Sequence, residues 1–192
     1  PGTVWQAALA RAVAEAADLG CVIELALTVS PAAVPFLQAL AQALPGRPKV
    51  CRVLVTDNRQ DTTTADALDL VHTHLVASRP DCGAVAAGSA RDLYQLHLVP
   101  PPRTETVFWG MHPQAHATDL TSIAETPPAA GQQVQAMRVR RPEARVAISP
   151  LRFHPRGADV RARSLFGAAW TLSILAELSA AGCDSVTIGD SP

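Results

Sequence analysis

Apolar positions along the chain fall into two alternating patterns. Six short runs rich in Val, Ile and Leu read as strands, over 21–29, 50–57, 83–89, 106–112, 145–150 and 185–190. Between them the apolar spacing lengthens to three and four residues, the period of a helix with one buried face. Residues 3–19 are rich in Ala and stop at Gly20, which suits the position just past a helix end. Residues 31–44 follow Ser30, with Pro31 in the first helical position. Residues 62–78 open in a Thr cluster and put Leu68, Val71 and Leu75 on one face. A short helix near 90–98 is broken by Pro100-Pro101-Pro102. Two further pieces, 119–125 and 131–140, are expected to be split by Pro127-Pro128. Residues 164–181 begin at Ser164, an N-cap type, and end at Gly182.

Strands that alternate with helices imply a parallel sheet, either doubly wound or closed into a (β/α)8 barrel. The faces of the strands help to choose. Ile23, Leu25 and Leu27 alternate with Val22, Glu24, Ala26 and Thr28; Val146 and Ile148 alternate with Ala147 and Ser149; Val186 and Ile188 alternate with Ser185, Thr187 and Gly189. A sheet covered by helices on both sides is aliphatic on both faces. A barrel can hold small and polar side chains inside while its aliphatic face meets the helices. The expectation is an α/β chain of the TIM-barrel kind, a partial barrel of about six βα units, with 1–192 as one domain. The start at Pro1-Gly2, without an initiating Met, reads as a piece of a longer protein.

Composition narrows the function classes. The net charge is −1 and the pI about 6.7, which gives no basic footprint for nucleic acid. No apolar run is long enough to span a bilayer. Nothing at the start reads as a secretory leader, so a cytoplasmic protein is expected. Cys21, Cys51, Cys82 and Cys183 are widely spaced and form no CxxC pair, so they are expected to be reduced, buried thiols. Lys49, the only lysine, precedes its strand, which disfavours Schiff-base chemistry and a carbamylated-lysine metal site. His72-Thr73-His74 has the spelling of a metal-binding HxH, but within a helix positions i and i+2 face apart. No metal and no cofactor are expected. There is also no GxSxG elbow.

The chemistry-bearing stretch runs from His112 to Leu120, directly after the apolar run Val107–Met111. In α/β folds the carboxyl ends of strands form the rim where sites collect. Gln114, His116 and Asp119 would stand on it, His116 as general base or acid, or else as part of a turn that caps the next helix. The loop from Leu151 to Arg163 carries four arginines, and Arg152 lies closest to the strand. Guanidinium groups suit an anionic or polyhydroxy ligand, although such a loop can also be merely solvated. Glu24 lies within a strand, with Arg52 at similar height in the next; it is either a catalytic acid–base or half of an internal ion pair, since a buried carboxylate needs a partner. Asp57 and Asn58 end their strand and could bind substrate hydroxyls or cap a turn.

Three strings, PQAHATDLTSIAET from Pro113, SPLRFHP from Ser149 and SLFGAAWTL from Ser164, resemble the TIM-barrel domain of the D-apionate lactonase family. There the strings run roughly PQVHA-D, SPVTLRPRFNP and SLFGAAWT. The resemblance covers most of the chain from about residue 85. It implies a barrel, and a carbohydrate-catabolic hydrolase that opens a sugar lactone to a sugar acid, with a small sugar lactone or sugar acid as its partner. His116 or Glu24 would activate water and Arg152 would stabilise the oxyanion, with Gln114, Asp119, Asp57 and Asp190 as substrate anchors. His112 stands where the family has Asn and is set aside. The family's last strand continues as YYETTG-WRG, whereas this chain reads Gly189-Asp190-Ser191-Pro192, so only Asp190 can match the glutamate. Two alternatives stay open: a glycoside hydrolase-like barrel using Glu24 and Asp190 as paired carboxylates, and a non-catalytic sugar-binding or scaffold domain.

Overall fold

The computed structural model describes residues 2–154 and 159–189. The chain is an α/β fold in which strands and helices alternate. The strands are β1 (Ile23–Val29), β2 (Val50–Asp57), β3 (Ala84–Ser89), β4 (Thr106–Met111), β5 (Arg145–Leu151) and β6 (Ser185–Ile188). The α-helices are α1 (Gly2–Asp18), α2 (Val34–Ala43), α3 (Ala65–Val71), α4 (Leu93–Leu98), α5 (Leu120–Ala124), α6 (Pro127–Arg140) and α7 (Leu165–Ala180). The chain divides into two compact units, residues 1–88 and 89–192.

In the first unit β2 pairs parallel with both β1 and β3. Ile23, Leu27, Val29, Val53, Val55 and Val85 turn to the helix side, where Leu37 and Leu40 of α2 and Leu68 and Val71 of α3 cover them. Trp5 of α1 meets Phe36 edge-on, with ring centroids 5.2 Å apart. The aliphatic side of β1 is therefore the covered one, as its alternation predicts, while Ala26 and Thr28 are exposed. The Thr cluster does not open the helix as a block. Thr62 and Thr63 stay buried ahead of it. The Thr63 hydroxyl donates to the carbonyls of Val55 and Gly88 and accepts from the Gly88 amide, 2.7 Å away. Only Thr64 caps α3, accepting from the Ala67 amide at 3.2 Å. Ser30 makes no side-chain cap: residues 31–33 form a single 3-10 turn, and α2 begins afterwards with Pro35 in its own first turn.

The thiols depart from expectation. Cys82 is buried, but Cys21 and Cys51 are exposed, and Cys183 is half-buried. Cys51 is the extra residue where the β1–β2 register shifts: Ile23 faces Val50 and Glu24 faces Arg52, so Cys51 has no cross-strand partner. Cys21 follows the turn at Gly20, whose φ of 65° is the left-handed conformation expected just past α1.

In the second unit β5 pairs parallel with both β4 and β6. Val107, Trp109, Val146 and Ile148 pack against Ile123 of α5, Val134 of α6 and Trp170, Ile174 and Leu178 of α7. Two separate helical pieces, α5 and α6, stand here as expected, but Pro127 and Pro128 open the second rather than lie between them. The first helical amides have no intrahelical acceptor, so proline costs nothing there and its fixed φ suits the start. Thr126, just ahead of α6, accepts from the Trp170 indole at 2.9 Å and so ties α7 to this turn. Ser164 caps α7 through the Gly167 amide, and Gly182 follows its end with φ 82°. No helix among the described residues is long and apolar enough to cross a membrane.

Candidate active site

In the second unit β4 runs into His112-Pro113-Gln114 and β5 into Arg152, while residues 90–94 continue from β3. A cavity of about 810 Å³ opens among these segments, lined by Arg91, Asp92, His112, His116, Arg152 and His154 with Gln114 and Tyr94. The close packing has a local cause. Gly110 of β4 lies under the chain at 90–91, and a Cβ there would come within 2.3 Å of the Ala90 carbonyl oxygen. The missing side chain lets the segment bearing Arg91 settle against β4.

His112 is half-buried, and its Nδ1 is shielded from solvent with no hydrogen-bond partner in the protein. Burial pushes its pKa below the ordinary histidine value; Asp92 opposes this, and His154 and His116 add to it. The neutral imidazole is thus the form held at pH 7. The linkage sign follows. The folded state binds this proton less tightly than the unfolded chain, so stability is lost as pH falls below about 6.5. Carboxylates held low, such as Asp57 and Asp159, weaken the fold only below about pH 4. The midpoint of urea unfolding is therefore expected to fall between about pH 7.5 and pH 5, and the fall to shrink in His112→Asn. An unchanged slope in that variant would contradict the effect of burial.

Gln114 is 8% exposed and joins the loops after β4 and β5. Its Nε2 donates to the Phe153 carbonyl and to Asp159 Oδ2, each at 2.9 Å. Its Oε1 accepts from Arg161 at 3.3 Å. Arg161 is in turn forked by Asp159, at 2.6 Å and 3.0 Å, and donates to the Thr118 carbonyl. The Arg161 guanidinium holds the Asp159 carboxyl well below the usual carboxylate range, with the Arg161 amide and Gln114 adding to it. Arg161 is thus a clasp between loops, a role its sequence distance from β5 does not reveal. Asp159→Ala is expected to cost about 1–3 kcal/mol, because Gln114 and Arg161 lose their shared acceptor. Chemical denaturation measures it; a loss below a few tenths would mean that the clasp is dispensable.

Of the residues picked from the sequence, Gln114, His116 and Arg152 line this one cavity. Asp119 instead caps α5, accepting from the Ser122 amide at 2.9 Å; the Ser122 hydroxyl first, and then this amide, lower its pKa. Glu24 and Asp57 belong to the other unit. Glu24 lies directly opposite Arg52 and accepts from its Nε at 2.8 Å, the ion pair that the strand heights suggested. Asp57 accepts from the Arg59 amide, the Arg59 guanidinium and the Thr64 hydroxyl, closing the turn after β2. Asp190 lies outside the described residues. His72 and His74 fall in a π-helical turn at His72–Val76, and among the described residues no cluster of three or more His, Cys, Asp or Glu is placed to hold a metal ion. Sequence reasoning passed over His112, His154, Arg91 and Asp92. Each follows closely on a strand, and that position is the signal that would have found them.

The chain matches no family model and no curated protein. Among solved structures it is similar to the crystal structure of the Bacteroides uniformis β-glucuronidase, with a TM-score of 0.59 and 11% identity. The likeness covers 93% of this chain and 24% of that one, so the chain spans about a quarter of that enzyme's length. At such identity the shared feature is the fold.

Proposed function

We propose that the chain is part of a (β/α)8 barrel and that its second unit carries a hydrolase site that opens a sugar lactone, as in the D-apionate lactonase family. One observation carries the reading: three imidazoles, His112, His116 and His154, and two guanidinium groups, those of Arg91 and Arg152, line one cavity. Lactone opening needs a base for water and a cation for the oxyanion. His116, exposed at the cavity, takes the proton of the attacking water. Arg152 and Arg91 stabilise the negative oxygen that forms on the carbonyl carbon, and then the carboxylate of the product. The ring C–O bond breaks, and the imidazolium returns its proton to the departing ring oxygen. No metal or organic cofactor enters this scheme.

The fold likeness to a carbohydrate-active enzyme supports a carbohydrate substrate. The glycosidase reading is weaker, since Glu24 is committed to Arg52. A proton-release assay on a panel of aldonolactones tests the proposal. Acid production above the spontaneous rate is expected, with no reducing sugar released from aryl glycosides. The reverse pattern would overturn it in favour of glycoside hydrolysis.

A further inference from the structure

The cavity has a neighbour. A second hollow of about 410 Å³ is bounded by the loop after β4, by α5 and α6, and by Ile174 of α7. His112 and His116 line both hollows. Two imidazoles therefore stand where the hollows meet, while the walls on either side differ in charge. Arg91, Arg152 and His154 line the larger hollow and not the smaller. Beyond the shared histidines, the charged side chain on the smaller hollow is Glu125; Ser122, Thr126 and Gln133 also line it, the last two accepting from the Trp170 and Trp109 indoles, and Pro113, Ala117, Ala129 and Ile174 give it apolar surface. A carboxylate repels an anion, and apolar walls disfavour strongly hydrated groups.

We infer that the site has two chambers. The larger binds the sugar-acid half of a ligand, and the smaller binds an uncharged alkyl group joined to it at the carboxyl carbon. Combined with the hydrolase reading, on which the reaction but not the binding rests, this makes an open-chain ester of a sugar acid a substrate alongside a ring lactone. Water adds to the ester carbonyl carbon as His116 takes its proton. The tetrahedral intermediate expels the alkoxy oxygen into the smaller chamber, where it receives that proton and leaves as the alcohol. The acid stays beside the guanidinium groups and ionises. Atoms and charge balance with water as the only co-reactant.

Amides report the chambers without turnover. N-butyl-D-gluconamide is expected to bind about tenfold more tightly than N-methyl-D-gluconamide by calorimetry, from the extra methylenes buried. Ala129→Phe, at an exposed position on the smaller hollow, should erase that difference and leave the methyl amide unchanged. Ala117→Phe, on the same hollow, should do likewise and guards against one misfolded variant. Equal affinities in the unaltered protein, or equal weakening of both amides in both variants, would overturn the two-chamber site. Turnover separates the two ideas. Opening of gluconolactone without any preference for the butyl amide would sink the chamber and leave the hydrolase. Preference for the butyl amide with neither gluconolactone nor butyl gluconate hydrolysed would sink the hydrolase and leave the chamber.

Discussion

His116→Ala is expected to lower kcat for lactone opening by about 10²–10⁴-fold, the usual worth of a positioned acid–base group. The melting midpoint should hardly move, because His116 is exposed and buries little apolar area. A nearby residue supplies the contrast. Asp119→Ala removes the cap of α5 and should lower the midpoint of urea unfolding while leaving turnover intact. Arg152→Ala should lower kcat by about 10²–10³-fold if its guanidinium meets the oxyanion. A His116→Ala protein with full turnover would end the assignment of His116 as base and move that role to His112, whose burial already keeps it neutral.

Local pattern carried the strands well, because period-two alternation is written within a few residues. All six appear where alternation places them, to within two residues at each end. The Ser164 cap and the glycines past α1 and α7 were legible for the same reason. The errors arose where a distant partner decides. Thr62 and Thr63 look like helix starters, yet the Thr63 hydroxyl is spent on Val55 and Gly88, the latter 25 positions away. Cys51 looks like a strand-core thiol, but the bulge leaves it unpaired. At the site, His116, Gln114 and Arg152 could be picked as rim residues from their places after strands. The Gln114–Asp159–Arg161 clasp could not, since its bonds join residues 45 and 47 positions apart with no shared periodicity. The family string has Asn where His112 stands, yet the place of His112 directly after β4 points to the rim.

Gly110→Ala tests whether the wall of the cavity depends on a missing side chain. The new Cβ would lie 2.3 Å from the Ala90 carbonyl oxygen and 2.4 Å from that of Arg91. Both are backbone atoms, so no side-chain rotation relieves the overlap. Either β4, whose six residues are all buried, or the 90–91 segment must shift. Overpacking of this kind costs about 1–3 kcal/mol and occasionally more; with two backbone clashes, about 3 kcal/mol is the expected loss, read from urea unfolding. Gly46→Ala is the control, since nothing lies within 4 Å of its Cβ, and its stability should stay within about 0.5 kcal/mol of the original. Arg91 adds a second readout, because the segment that yields carries this guanidinium into the cavity. Below its own unfolding transition the Gly110→Ala protein should therefore bind gluconate more weakly, as Arg91→Ala should, whereas Gly46→Ala should not. Stability and gluconate binding both unchanged in Gly110→Ala would mean that the 90–91 segment gives way freely and that the contact with Gly110 does not position Arg91.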